Sequence, residues 1–120
     1  MTGNQAPDYI SHMLDAARLI ISYLDEMSKD DFLTDTRTQQ AVIFNIIVIG
    51  EAVSKLLKDH EELLKQFPEV PWASMKGMRN RIAHGYFEIN LNTVWEAANG
   101  GIPELLIQLQ PVLKQALIKS

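Results

Sequence analysis

Apolar residues recur at intervals of three and four along the first part of the chain. Over residues 8–27 they form one stripe of an amphipathic helix, made of Ile10, Met13, Leu14, Ala17, Ile20, Ile21 and Leu24. No stretch of the chain shows sustained alternation of apolar and polar residues between turn signals. The sequence therefore predicts an all-α fold, with a first helix over residues 8–27 and no sheet.

A second helix is predicted from about Arg37 to about Asp59. Its N-terminal cap and the glutamine of a capping box are expected among Thr34, Asp35, Thr36 and Gln39. Residues 41–49 are apolar around nearly the whole circumference of this helix, and only Asn45 interrupts them. Such a segment is buried on more than one side, either within its own bundle or against a partner chain. It is shorter than the roughly 20 residues that span a bilayer, so a soluble protein is expected.

The length and composition fit one ordinary domain. The chain has 120 residues, 47% of them apolar, and no linker or repeat divides it, so a single domain over residues 1–120 is expected. Residues 1–7 are polar and lack the pattern of a signal peptide, and they are predicted to be a loose tail. The absence of cysteine excludes disulfides and thiolate metal sites, and it favours the cytoplasm.

Prolines and glycines organise the second half of the chain. Pro68 and Pro71 predict an irregular connection, with Trp72 filling the bundle beside it. Further helices are predicted over residues 72–84, over residues 91–98 and from about Pro103, the last two separated by glycines 100 and 101. Pro111 lacks the N–H that would bond to Ile107, so the last helix is expected to kink or restart there.

Charge limits how the protein can meet nucleic acid. Eleven Lys and Arg against fifteen Asp and Glu give a net charge of −4. This balance argues against capture of nucleic acid over the whole surface. One local basic run exists, in which Lys76, Arg79 and Arg81 occur with no acidic residue among them. The run is either an anion site or a solvated helix face.

The residues best suited to chemistry lie at the end of the predicted helix over residues 72–84. At about 100° per residue, Asn80 and His84 share one face and Arg79 lies beside Asn80. Gly85 is expected to end the helix as a left-handed cap, with Tyr86 just beyond it. A histidine can move a proton at a ribose oxygen, and an arginine can bind a phosphate as charge builds on it. The group suits metal-free phosphodiester cleavage, unless His84 is an ordinary structural or exposed histidine.

Other polar residues were candidates for the same site or for a metal. Glu51 stands in an apolar helix, where it is either paired with an arginine of the basic run or exposed on the one wet face. Asn45 raises the same question more weakly. His12 and His60 have no basic or amide companion at helical spacing, and surface or packing roles are expected for both. No two histidines have metal-ligand spacing, so no zinc site is expected.

Residues 72–86 resemble the signature of the HepT-like toxins of the HEPN superfamily, whose motif is Arg-x-x-x-x-His-x-Tyr. Arg79, His84 and Tyr86 occupy its three fixed positions. Residues 49–53, 87–91 and 94–96 resemble the same family in order and spacing, so the resemblance covers nearly the whole chain. It implies a HEPN-type up-and-down helical bundle with four to five main helices. The region around glycines 100 and 101 and Pro111 is more broken than that pattern.

The resemblance also implies a function. It implies a metal-independent endoribonuclease toxin with no cofactor, in which Arg79 and His84 are catalytic and Asn80 supports them. A minimal nucleotidyltransferase antitoxin would neutralise the toxin by transferring AMP units to Tyr86. Two copies would form a homodimer with their motifs facing one another across a cleft. The alternative is a catalytically weak HEPN module that binds a nucleotide or a nucleotidyltransferase and serves as its scaffold.

Overall fold

All regular structure in residues 5–119, the part that the computed structural model describes, is helical. The α-helices are α1 (Ala6–Tyr23), α2 (Lys29–Leu33), α3 (Thr36–Asp59), α4 (Glu61–Lys65), α5 (Trp72–His84), α6 (Leu91–Glu96) and α7 (Ile102–Lys119). A single 3₁₀ turn covers Tyr86–Glu88, and a π-helical turn covers Ala97–Gly101. Four of the helices, α1, α3, α5 and α7, are long. The prediction of an all-α bundle with four to five main helices is confirmed.

Helix α1 begins and ends earlier than predicted. Ala6 and Pro7 already belong to its first turn, where a proline costs no hydrogen bond, so the expectation of a loose tail is wrong for these two residues. Residues 1–4 lie outside the described part of the chain. The C-terminal end comes at Tyr23 because Ser28 starts a separate short helix, α2. Ser28 and Asp31 bond to each other's backbone N–H in a capping box that the apolar pattern did not indicate.

Helix α3 is capped by Asp35, one of the expected candidates. The Asp35 carboxylate accepts bonds from the backbone N–H of Thr38 (3.0 Å) and from the Thr38 hydroxyl (2.8 Å). These bonds stabilise the charged form and hold the pKa of the Asp35 carboxyl below its ordinary value. Gln39 does not complete a capping box. Its side-chain amide donates to the carbonyl of Phe32 (2.9 Å) and so ties α3 to α2.

Helix α3 runs through the centre of the molecule. It packs against α1 on one side and α5 on another, and α1 also packs against α7. Its buried residues belong to the single core cluster and include Val42, Ile43, Ile46, Ile49, Ala52, Val53 and Leu56. Burial within its own bundle therefore accounts for much of the apolar circumference. Phe44 is the exception, because 64% of it is exposed.

The length and hydropathy of α3 alone would allow it to cross a membrane. Half of its apolar window, however, is buried inside the molecule against the neighbouring helices. The apolar character of this window is that of a core helix, and the compact bundle around it is the fold of a soluble protein. The expectation of solubility stands on this packing rather than on the shortness of residues 41–49.

The C-terminal half is more continuous than predicted. Trp72 is buried as expected, and its indole N–H donates to the carbonyl of Phe67 (3.0 Å). Glycines 100 and 101 do not interrupt the helix, because the chain passes from α6 to α7 through the π-helical turn. The restart expected at Pro111 is also absent, and α7 is one helix. Pro111 and Ile107 are both exposed, so water can satisfy the carbonyl that loses its partner.

Candidate functional site

The site begins where α3 and α5 cross at Gly50. A Cβ atom built on Gly50 would overlap the Cβ of Arg79, and it would lie 2.9 Å from the Arg79 Cγ and 3.0 Å from the carbonyl oxygen of Met75. Only glycine allows the two helices to approach this closely. The Cβ and Cγ atoms of Arg79 therefore pack directly against the backbone of α3 at Gly50. Gly50 was not among the predicted site residues, although a lone glycine within an apolar helix can signal a close approach of another backbone.

The close approach places the Arg79 guanidinium beside the next residue of α3. Its Nη2 lies 2.6 Å from Oε2 of Glu51, and its Nη1 donates to Oδ1 of Asn80 at 3.2 Å. The structure thus brings together three of the predicted site residues. Glu51 is paired with Arg79, which was one of the two alternatives predicted for it. It is not buried, however, because 46% of its side chain is exposed. We call Gly50, Glu51, Arg79 and Asn80 the α3–α5 crossing.

The guanidinium keeps donors available for an anion. Each terminal nitrogen of an arginine carries two N–H groups, and each of the two pairs above uses one of them. The third nitrogen, Nε, is buried without a hydrogen-bond partner in the described part of the chain. The Arg79 side chain remains 31% exposed. The Cβ end of the Arg79 side chain is therefore fixed by packing, and its guanidinium is oriented by two polar partners. The guanidinium can still contact a phosphate from the solvent side.

Asn45 has no part in this arrangement. It is buried, with 6% exposure, and it is the one polar residue among the buried residues of the described chain. Its side-chain amide donates to the carbonyl of Ala41 in the same helix (2.9 Å). The weaker suggestion that Asn45 pairs with the motif arginines is wrong, because a bond to its own helix already satisfies this amide.

The second part of the site follows the end of α5. His84 is the last residue of the helix and is exposed. Gly85 donates its N–H to the carbonyl of Arg81 (3.0 Å), and its φ of −145° rules out the left-handed cap that we expected. The chain continues instead into the 3₁₀ turn, in which Glu88 N–H bonds to the carbonyl of Gly85 (2.9 Å). We call residues 84–88 the exit turn.

The exit turn presents two aromatic rings to solvent. Tyr86 is 47% exposed and Phe87 is 99% exposed. The two rings meet edge to face, with centroids 5.8 Å apart and planes at 84°. The phenol of Tyr86 is accessible, as the predicted modification requires. Phe87 was not among the predicted site residues.

The two parts of the site are not joined within one chain. Across residues 5–119, no hydrogen bond or ion pair links His84 to Arg79 or Asn80. Asn80 and His84 are one helical turn apart, as predicted from their spacing. No group of three or more His, Cys, Asp or Glu residues in that range is arranged to hold a metal ion. The arrangement can bind an anion at Arg79 and exchange a proton at His84, each open to a molecule that approaches from outside.

Similarity to known proteins covers both parts of the site. Residues 13–112 match the family model described as Ribonuclease HepT-like. "Probable ribonuclease HepT" of Thermococcus cleftensis is 36% identical over 98 residues, which cover 82% of this chain and 86% of that protein. "Putative RNase MJ0127" of Methanocaldococcus jannaschii is 33% identical over 106 residues, covering 88% and 85%. "Putative RNase TTE0752" of Caldanaerobacter subterraneus is 33% identical over 107 residues, covering 89% and 93%. No solved structure is a significant match.

Proposed function

The chain belongs to the Ribonuclease HepT-like family, and on that premise we propose that it is a metal-independent endoribonuclease toxin with Arg79 and His84 as its catalytic residues. The observation that carries the proposal is the geometry of the α3–α5 crossing. Arg79 packs against Gly50, and its guanidinium is oriented by Glu51 and Asn80. It lies five residues before the exposed His84. A preorganised cation and an exposed imidazole on one helix are groups that transfer at an RNA phosphate can use.

In the proposed reaction the ribose 2′-oxygen attacks the adjacent phosphorus. A base removes the 2′-hydroxyl proton, the bond from phosphorus to the 5′-oxygen breaks, and an acid protonates that leaving oxygen. The products are a 2′,3′-cyclic phosphate and a 5′-hydroxyl. His84 serves as the base or the acid, and the free N–H groups of Arg79 bind the phosphate oxygens as negative charge builds on them. Asn80 and Glu51 act through Arg79 by holding its orientation.

We further propose that the active form is a homodimer in which two exit turns face one cleft. The support is the outer side of α3, where exposed Phe44 lies among half-buried Ile47 and Val48 on the same helix. A contiguous apolar surface of this kind favours a protein partner. Two copies of His84 would then supply both an acid and a base. Sedimentation at micromolar concentration should give twice the chain mass of 13.6 kDa, and a monomer would remove the composite cleft.

The proposed setting is a cytoplasmic toxin–antitoxin pair. The antitoxin is a minimal nucleotidyltransferase that transfers AMP units to the Tyr86 hydroxyl. The support is the 47% exposure of Tyr86 and its position two residues after His84. An attached nucleotide would fill the space beside the catalytic histidine, and its phosphate would compete for the free N–H groups of Arg79.

The decisive experiment is RNA cleavage by the pure protein in the presence of a chelator. The wild-type protein should cleave under these conditions, and Arg79→Ala and His84→Ala should each lose about 100- to 10,000-fold in rate, the usual worth of positioned acid–base catalysis. Lys65→Ala is the control, because it removes an exposed basic side chain that pairs with Glu61 and Glu62 on α4, and it should cleave normally. Circular dichroism should show that all three variants are folded.

Two outcomes would contradict the proposal in different ways. Full cleavage by folded His84→Ala would reject the catalytic assignment. No cleavage by a wild-type protein whose Tyr86 is shown to be unmodified by mass spectrometry would favour the alternative, a catalytically weak HEPN module that binds a nucleotide or a nucleotidyltransferase. The net charge of −4 is the observation on which that alternative rests.

A further inference from the structure

Phe87 is the most exposed large apolar residue in the described part of the chain. Its 99% exposure means that it contributes nothing to the core, and it lies three residues after His84. A single exposed apolar residue needs no explanation by itself. This one calls for an explanation, because its backbone lies in a hydrogen-bonded turn close after the proposed catalytic histidine.

The backbone under Phe87 is held at both ends. The N–H of Glu88 bonds to the carbonyl of Gly85 (2.9 Å), and the N–H of Ile89 bonds to the carbonyl of Tyr86 (3.3 Å). Ile89 packs against the core, and Asn90 caps the next helix by accepting bonds from the N–H groups of Asn92 and Thr93. The edge-to-face contact with Tyr86 adds a side-chain constraint. The ring is therefore presented from a hydrogen-bonded turn, with its faces open to solvent.

The helix that leads to Phe87 carries basic side chains. Residues 76–84 contain Lys76, Arg79 and Arg81 without an acidic residue, and Lys76 and Arg81 are exposed. Glu88 is the acidic neighbour in the turn. Interfaces between proteins are apolar and depleted of charge at their centres, as on the outer side of α3 around Phe44. An exposed aromatic ring that follows a basic helix is instead a combination with which proteins hold single-stranded nucleic acid.

We propose that Phe87 is a stacking platform for an unpaired nucleobase next to the cleaved phosphate, so that the substrate is single-stranded RNA. The inference rests on the proposed function, because the phosphate it refers to is the one held by Arg79. Phe87 follows His84 by three residues, and three residues span at most about 11 Å of backbone. A base on the ring therefore belongs to the nucleotide at the cleaved bond or to its neighbour. Every base has a π face, so the platform accepts any base and requires only that it be unpaired.

The test measures binding in the His84→Ala background, where RNA stays intact. The probe is a short single-stranded RNA that contains 2-aminopurine, a fluorescent adenine analogue that dims when it stacks. Phe87→Ala should weaken binding roughly 5- to 150-fold, the range that loss of one base-stacking aromatic produces. Phe87→Leu should be nearly as weak, because leucine is apolar but has no π face. Phe87→Trp should restore both the affinity and the dimming.

The control is Ile107→Ala, which removes an exposed apolar side chain from α7, outside both the site and the proposed dimer surface, and it should leave affinity for the RNA unchanged. Phe87→Leu that binds and dims the RNA like the parent would overturn the inference. So would a result in which Phe87→Ala dissociates the dimer in sedimentation and Phe87→Leu restores both assembly and binding, since Phe87 would then be a contact to a protein.

The same series separates this inference from the proposed function. Wild-type cleavage together with normal binding by Phe87→Leu would overturn stacking alone and leave the ribonuclease assignment intact. Binding and dimming that depend on an aromatic ring at Phe87, in a wild-type protein that does not cleave RNA, would support the platform and reject the catalytic assignment. A chain that cleaves only duplex RNA and does not bind the single strand would overturn the platform.

Discussion

The α3–α5 crossing and the exit turn differ in what holds their side chains. At the crossing, Arg79 rests on Gly50 and its guanidinium is paired with Glu51 and Asn80, so one chain supplies every contact. In the exit turn, His84 is exposed, Tyr86 is half-exposed, and Phe87 contacts Tyr86 and is almost fully exposed. The two regions are joined by one helix, α5, and separated by about one and a half turns.

The difference suggests a division of labour. A cation that must meet a developing charge is most effective when it is oriented beforehand, since no reorganisation is then needed during the reaction. Groups that must receive a substrate, a second copy or a nucleotide have to remain open. In the proposed toxin, the α3–α5 crossing therefore holds Arg79 in position to bind phosphate. The exit turn exposes the residues proposed for proton transfer, stacking and modification.

The largest effect is expected at Tyr86, where control should be all or none. After incubation with the cognate nucleotidyltransferase and ATP, the wild-type protein should gain mass in AMP units at Tyr86 and lose cleavage. Tyr86→Phe should cleave normally and escape this silencing, because it keeps the ring but has no hydroxyl to modify. Mass spectrometry and an RNA cleavage assay read the two results. Equal silencing of Tyr86→Phe would mean that the antitoxin acts by covering the cleft.

Gly50→Ala should break the crossing. The added methyl would overlap the Cβ of Arg79, an atom that cannot move without moving α5, and such overpacking typically costs about 1–3 kcal/mol of unfolding free energy. Displacement of Arg79 should also lower cleavage. Urea unfolding monitored by Trp fluorescence gives the stability. The matched control is Gly77→Ala on α5, where the nearest atom to a new Cβ is Nη1 of Arg81 at 3.5 Å.

Gly77→Ala should be neutral or stabilising by up to about 1 kcal/mol, because alanine is the better helix former. If Gly50→Ala proves as stable as this control, the close approach at Gly50 does not constrain the two helices.

Glu51→Gln should distinguish the effect of Glu51 on the orientation of Arg79, measured by the cleavage rate, from its effect on RNA affinity. The change keeps the size of the side chain and removes its negative charge, so RNA affinity should stay the same or rise. Cleavage at saturating RNA should fall about fivefold, a modest loss because solvent screens this half-exposed pair. The control is Glu62→Gln, which removes the same charge from a surface pair with Lys65 and should leave the rate unchanged. A fall in affinity with an unchanged rate would show that Glu51 does not position Arg79.

The smallest effect is expected at the cap of α3, which supports the crossing only indirectly. Hydrogen bonds from Thr38 lower the pKa of the Asp35 carboxyl in the folded protein, so the cap contributes its full stability above the unfolded-state pKa of 3.8. That contribution is lost as the pH falls below 3.8 and through the lower folded-state pKa. Asp35→Ala should slightly lower the urea midpoint at pH 7, and the gap to wild type should close on acidification. A gap that persists at pH 2 would contradict this assignment.

Local patterns in the sequence account for most of the fold. The three- and four-residue spacing of apolar residues predicts α1 and α3, and Asp35 was among the predicted caps. These features depend on residues within one or two helical turns of each other. The local predictions were wrong at α2 and at the π-helical turn, because the local signal was weak in one case and misleading in the other. Ser28 and Asp31 form a capping box without an apolar run behind it, and adjacent glycines usually end a helix.

The sequence by itself determined an all-helical chain and the placement of Asn80 and His84 one turn apart on α5, because helical spacing fixes which neighbours share a face. Only the tertiary structure decided that the Arg79 side chain packs against Gly50 and pairs with Glu51 rather than with Asn45. It also decided that Phe87 is exposed to solvent. Gly50 and Arg79 are distant in sequence, and they meet only because α3 and α5 cross at one place. That crossing is set by how all the side chains of the core pack together, and no local pattern encodes it.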